Sequence, residues 1–423
     1  MARNKTDVVI LGAGAVGLSC AYFLHRAGLS VQLLDSGKAG QGASLGNCGL
    51  ITPGHAPPVC SPGAMKKALK WLFKDTAPLH VRPRLDPALA GWMLQFARNC
   101  DAKETSRIMA AKAALLTSSR DLTQKLIEKE KLDCEFSDTG LMSVCLTDQG
   151  LQDAEEVVAL LQSVGIDASL VDGDQAREAE PALSSDVIGG AWFPQDATLR
   201  PDRFTSELNW ALHNKGVALQ EDCQIKAFNF GPSGRLESVF TDRGTYESEI
   251  FIAAAGVWTP RALEKLKMKI PIQAGMGYSL TTKRPEPCPA FPLLMQETHV
   301  VATPWASGYR LGGTMEFAGI DASPNPKRFL ALIEGARDYL IEPLGKGQPE
   351  KWHGYRPMTP DDLPLIGTPA HIENLCFAAG HNMLGMSMAV GTGRLVAEMM
   401  TGRQTHIDPA PYSPGRFKGI NPG

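Results

Sequence analysis

Short apolar runs broken by glycine turns set the rhythm of this chain. The first, Asp7-Val8-Val9-Ile10-Leu11, has the length and β-branched content of a buried strand and breaks at Gly12. Apolar positions at helical spacing follow over roughly 15–27 and stop at Gly28, and 30–34 reads as a second buried strand. Strand, tight turn, helix and strand are the opening of a parallel α/β sheet. Two later segments carry the same signature. An alternating meander from Cys223 ends in a buried strand at 250–255 before Gly256, and 375–379 is followed by a turn at 380–385 and a helix at 386–400. Between them lie helix-like runs at 102–130 and 152–164 and alternating strands around 273–282 and 309–317.

The predicted organisation is therefore interleaved. Segments 1–60, 199–260 and 354–423 are expected to form a nucleotide-binding domain, and 61–198 and 261–353 a second domain. A length of 423 residues fits two or three domains. The charged fraction of 21% is that of a soluble globular protein, and a net charge of −3 gives no footprint for nucleic acid. Nine scattered cysteines form no C-x-x-C, and the histidines no H-E-x-x-H, so no metal site is expected. A reduced, cytoplasmic setting fits this cysteine usage, and neither a signal peptide nor a membrane span is expected.

Candidate chemistry starts at the first turn. Gly12, Gly14 and Gly17 fit G-x-G-x-x-G: a sharp turn, a close approach of pyrophosphate to the backbone, and a helix lying close on its strand. Ala13 and Val16 complete this element, and Asp35 with Ser36 follows the second strand, where a carboxylate can accept ribose hydroxyls. These residues read an adenosine diphosphate and do not separate NAD from FAD. No residue from Ala39 to Met65 is charged. This stretch is open to four readings: metal loop, disulfide loop, linker or cofactor lining. Its prolines resist the linker, and Ala43, Ser44, Asn47, Gly49 and Leu50 could lie against a pyrophosphate and a flavin. Ile225, Ala254, Gly256 and Trp258 around the meander, and Gly380, His381, Asn382, Leu384, Gly385, Met386 and Ser387 at the last helix start, complete the candidate cofactor set. A helix N-terminus there would favour negative charge on a reduced flavin.

These segments, together with ITPGHAPPVCSPGAMKKALKWLFKDTAPLHVRP, GWMLQFARNC, GYSLT, GYRPMTPDDLPLIG and GHNMLGMSMAVGTGRL, resemble the FAD-dependent D-amino acid oxidase/dehydrogenase superfamily across essentially the whole chain. They are most similar to the bacterial D-amino acid dehydrogenase (small-subunit) type. The resemblance implies an α/β fold of two domains. One is a Rossmann-like FAD/NAD(P)-binding domain, and the other an α+β substrate domain built on an antiparallel sheet. It also implies non-covalent FAD, oxidative deamination of a D-amino acid to a 2-oxo acid and ammonia, and electron transfer to a quinone or respiratory acceptor.

Arg356, in the G-x-R-P motif, is then the substrate-carboxylate residue, against a structural ion pair with Asp361 or Asp362. Tyr278 would give the carboxylate a second hydrogen bond or else pack in a core. His55 stands where relatives often have Tyr after Pro-Gly, as a pocket residue or a loop histidine, and Cys48 stands where they have a small residue. His381 and Asn382 are expected to act through their backbone. No dedicated base is evident, so solvent is expected to take the substrate's proton. Lys66, Lys70 and Lys74 share a face of segment 64–74, which suggests peripheral contact with the cytoplasmic membrane face or an ordinary surface helix. An oxygen-using amine, glycine or cyclic imino acid oxidase shares these motifs. A nucleotide-binding module without turnover would leave Arg356 unexplained.

Overall fold

A computed structural model describes residues 3–63 and 79–420. Segment 64–74, the suggested membrane helix, lies outside the described residues.

Two large sheets organise the chain. In the first, Ala218–Gln220, Val31–Leu34, Arg3–Leu11, Thr245–Ala253 and Leu375–Ala379 lie side by side and parallel. Such a sheet must be covered on both faces, and its strands read as continuous apolar runs; Val8, Val9, Ile10 and Leu11 are all buried. Thr245–Ala253 is long enough to serve two neighbours on one edge. Its first residues pair with the hairpin strand Leu236–Thr241, and its last with Leu375–Ala379. The second sheet has nine strands and is mostly antiparallel, with Glu350–Met358, Gln273–Thr282, Gly308–Phe317 and Val300–Trp305 in order from one edge. It is parallel where Leu293–Met295 meets Leu141–Cys145 and where Leu79–Val81 meets Gly308–Phe317.

Glu350–Met358 pairs along its whole length with Gln273–Thr282. The expected boundary at 354 therefore cuts through one strand, and Arg356 belongs to the nine-stranded sheet. The sequence hid this because Gly354 reads as a break, whereas here it leaves room for the Trp352 ring, 2.3 Å from where a Cβ would stand.

The helix Gly385–Met400 lies between Ala15–Arg26 and Ala102–Glu130. Two glycines permit this burial. A Cβ at Gly393 would stand 2.5 Å from the Ser19 backbone, and one at Gly391 2.9 Å from the Ser119 side chain. Ser119 Oγ in turn accepts the Gly391 N–H at 3.0 Å. Tight packing across glycine is what holds the last helix with its N-terminus at the end of the parallel strands.

Gly393→Ala, although better in an isolated helix, meets fixed backbone. It should destabilise the protein by about 1–3 kcal/mol, as overpacked cores do. Urea unfolding checks this, and an unchanged midpoint would contradict the packing described.

Candidate active site

The chain's turn between the first strand and first helix opens onto a cavity of about 1160 Å³. Gly12 adopts φ +111°, and a Cβ there would meet the Ala254 carbonyl oxygen at 2.5 Å. Only glycine fits where the ends of Arg3–Leu11 and Thr245–Ala253 come together, which is also where an open parallel sheet offers its binding crevice. A Cβ at Gly17 would stand 1.9 Å from the Gly12 oxygen, so that glycine seats the helix. Gly14 borders the cavity and is the N-cap of Ala15–Arg26, with no side chain of its own capping it.

Asp35 closes this end. Its Oδ2 accepts the Ala13 N–H at 2.7 Å and its Oδ1 the Gly37 N–H at 2.8 Å. Each oxygen keeps a further acceptor site, and the carboxylate lines the cavity. The charge-free segment forms the next stretch of wall. Ser44 Oγ accepts the Ala15 N–H at 3.1 Å, and the Asn47 side chain spans its own turn, donating to the Ser44 oxygen and accepting from Gly49 N. The partly desolvated Arg310 donates to the Leu45 and Asn47 carbonyls and sits over the Trp305 ring. It holds the segment against the second sheet.

At the far end Leu384, the N-cap of Gly385–Met400, gives no side-chain cap, and Gly385, Met386 and Ser387 border the cavity. Two helix N-termini thus face one cavity, each with its positive dipole end. The residues fit a dinucleotide in a specific sense: a backbone cradle that a Cβ would fill, a ribose-accepting carboxylate, and electropositive ends without a competing anion. Ser36, Ala43, Leu50, Ile225, Gly256 and Trp258 border the same space.

Four expected cofactor residues stand behind the wall. Ala13 and Gly17 shape the turn, and Gly49 is pressed on the Leu199 carbonyl, 2.0 Å from a Cβ position. Gly380 takes φ +74° beside Thr359. His381 and Asn382 border the cavity, but their side chains serve the fold. His381 Nε2 meets Thr392 Oγ1 at 3.0 Å, and burial pushes its pKa down to about 3, so it stays neutral. Asn382 accepts the Thr359 N–H at 2.8 Å and donates to Thr359 Oγ1, which ties the last helix to the strand that carries Arg356.

The second sheet supplies the remaining wall. Arg356 is half-buried and faces the cavity; its Nη1 donates to the Thr314 carbonyl at 2.6 Å and its Nη2 to Gly313 at 3.4 Å. Burial pulls its pKa below the usual guanidinium value. Both acids proposed as structural partners are engaged elsewhere. Asp361 takes Arg416, at 2.6 Å from Nε and 3.2 Å from Nη2, and Asp362 takes Lys112 at 2.6 Å. Among the described residues no carboxylate pairs with Arg356. Gly277 makes room for it, since a Cβ would stand 2.5 Å from the guanidinium carbon.

Of the two readings of Tyr278, its packing fits the second, a place in a core. Along Gln273–Thr282 side chains alternate, so Gly277 and Ser279 face the cavity side while Met276, Tyr278 and Leu280 enter the opposite core. The Tyr278 hydroxyl donates to Glu316 at 2.6 Å and accepts the Asn325 N–H at 3.1 Å. The residue borders the cavity, and its hydroxyl is engaged within the protein. The strand's period-two pattern contained this signal, but the motif drew attention to the aromatic residue.

His55 lies in the cavity wall on a short 3-10 turn, Pro53–His55. Its Nδ1 is 2.7 Å from Thr52 Oγ1, and that hydroxyl donates to Asp196. Asp196 is 1% exposed and also accepts the Gly54 N–H at 2.8 Å. The two-stranded ladder of Leu50–Ile51 with Ala197–Thr198 brings these distant residues together. Lys112, inside the helix Ala102–Glu130, and Asp196 escaped sequence reasoning because neither belongs to a motif, and only tertiary pairing reveals them. Cys48 is near Arg356, and burial raises its thiol pKa. Among the described residues there is no cluster of metal-ligating side chains and no helix long and apolar enough to cross a membrane.

Comparisons with known proteins identify the family. The family model for FAD dependent oxidoreductases matches residues 7–399. A D-amino acid dehydrogenase of Allorhizobium ampelinum is 33% identical over 97% of this chain and 98% of its own, and one of Vibrio vulnificus is 32% identical over 94% and 96%. The solved glycine oxidase of Geobacillus kaustophilus superposes with a TM-score of 0.77 at 20% identity, over 97% of this chain and 98% of that one. A dinucleotide cradle, an unpaired arginine at its far end and a match along nearly the whole length lead to one conclusion: the chain belongs to the FAD dependent oxidoreductase family.

Proposed function

We propose that this protein oxidatively deaminates D-amino acids to 2-oxo acids and ammonia and passes the electrons to a quinone or other respiratory acceptor. The observation that carries the reading is Arg356: a half-buried, cavity-facing cation beside Asp361 and Asp362 in sequence, both of which are paired elsewhere. Such a cation favours an anionic ligand, and a planar fork favours a carboxylate. Relatives named D-amino acid dehydrogenase support the amino acid and its handedness.

Bound FAD would supply the hydride-accepting chemistry. The chain's own residues do the rest. Gly14, the Ala15–Arg26 N-terminus and Asp35 bind the adenosine diphosphate end. The Gly385–Met400 N-terminus favours negative charge at the opposite end. Arg356 holds the substrate carboxylate, Gly277 gives its side chain space, and orientation of the Cα–H bond follows from that anchor. The parallel-sheet segments form the FAD domain and the nine-stranded sheet the substrate domain, with Glu350–Met358 on the substrate side. Segment 64–74 is assigned a peripheral contact with the cytoplasmic membrane face, where a quinone acceptor resides.

Anaerobic titration of the yellow holoenzyme with D- and L-amino acids tests the activity. D-isomers should bleach the flavin, and bleaching by L-isomers alone would overturn the reading. Turnover with a quinone analogue should exceed peroxide release, and the reverse would assign an oxidase. Arg356→Ala should lose about 2–5 kcal/mol of substrate interaction, or roughly 30- to 5000-fold in kcat/KM. Unchanged kcat/KM would remove its role. Asp35→Ala strips acceptors from two amides and the ribose, so FAD should dissociate roughly tenfold more readily or worse; equal FAD affinity by fluorescence titration would contradict that assignment.

A further inference from the structure

The cavity contains a linear arrangement that carboxylate binding and hydride transfer do not use. Asp196, Thr52 and His55 form a chain of hydrogen bonds from a closed interior to the cavity wall. Thr52 Oγ1 stands between the other two and carries one proton. When it donates to the Asp196 carboxylate, its lone pair faces the imidazole, so His55 Nδ1 must be the protonated nitrogen. Nε2 is then a bare acceptor, and among the described residues it has no protein partner.

We propose that His55 accepts a proton from the substrate's ammonium group through Nε2, and that Thr52 and Asp196 relay the charge balance into the protein. This rests on the amino acid reading above, because only a protonated amine needs such an acceptor before its Cα hydride can leave. One substrate N–H bond breaks as His55 Nε2–H forms. The Nδ1 proton passes to Thr52 Oγ1, and the Thr52 hydroxyl proton passes to Asp196 Oδ2. The substrate nitrogen keeps its lone pair, His55 ends neutral in its other tautomer, and no electrons are exchanged.

The surroundings suit this sequence of transfers. Burial, with Lys112 and His299 nearby, pushes the His55 pKa down to about 4, which disfavours an imidazolium end state. Burial raises Asp196 to about 7 despite its bonds to Thr52 and Gly54 and the more distant Arg120. The carboxylate therefore can hold the proton that the imidazole cannot. Lys112 is itself bound to Asp362 and the Pro57 carbonyl. Thr52 N–H bonds to Ser387 Oγ at 3.3 Å, so the relay is fixed to the start of the last helix. His55 touches the substrate as a catalytic residue, whereas Thr52 and Asp196 are positioning residues that act through it.

The experiment combines pH profiles of kcat/KM for the holoenzyme with 15N NMR of its histidines, His55 being assigned by its loss in His55→Gln. In the resting protein above pH 7, His55 should show the Nδ1–H tautomer. His55→Gln should lower kcat/KM at pH 7 by about 10²–10⁴-fold, with the deficit shrinking as pH rises and the amine deprotonates unaided. Asp196→Asn should keep the tautomer yet remove the ionisation near pH 7 from the profile. Thr52→Val should lose both, and Thr52→Ser should restore both. A wild-type profile in His55→Gln, or an Nε2–H tautomer in the resting protein, would overturn the relay. Failure of every D-amino acid to bleach the flavin would instead sink the functional reading, while the tautomer still decides the relay's resting state.

Discussion

A guanidinium drawn out of water and denied a carboxylate is unstable unless something anionic meets it. The protein arranges this at Arg356. It pairs Asp361 with Arg416 and Asp362 with Lys112 and, among the described residues, offers Arg356 the carbonyls of Gly313 and Thr314 and no carboxylate. Two acids adjacent in sequence are thus held by cations from distant parts of the chain. The glycine at 277 and the strand pairing with Gln273–Thr282 fix where the cation stands.

The cavity's other end follows the same electrostatic logic with backbone instead of side chains. Two helices begin at the cavity without a side-chain cap of their own, and the described residues 39–63 bring no charge near them. A lysine there would compete for phosphate, and an acid would cancel the helix ends. Neutrality of that segment is therefore a requirement of the site. Its cohesion comes from backbone bonds, the Asn47 side chain and Arg310. Its later half carries His55, so one ribbon of chain serves both the cofactor wall and the chemistry of the amine.

Local chemistry made much of this legible beforehand. Gly12 and Gly17 were readable because their turn leaves no room for a Cβ, and Asp35 because a carboxylate at a strand end suits ribose hydroxyls. Arg356 was legible through its motif, although its ion-pair alternative needed coordinates to reject. Tyr278 misled because a hydroxyl near a motif attracts attention while strand alternation decides its direction. Asp196 was invisible. Its contact with Thr52 spans 144 positions in sequence and depends on a ladder of two residues per strand, too short to leave a pattern.

A crystal structure of the holoenzyme with a bound 2-oxo acid bears most directly on the central claim. The carboxylate oxygens should lie within hydrogen-bond distance of the Arg356 guanidinium, displacing neither Lys112 from Asp362 nor Arg416 from Asp361. A carboxylate seated elsewhere in the cavity, with Arg356 still bound only to Gly313 and Thr314, would contradict it.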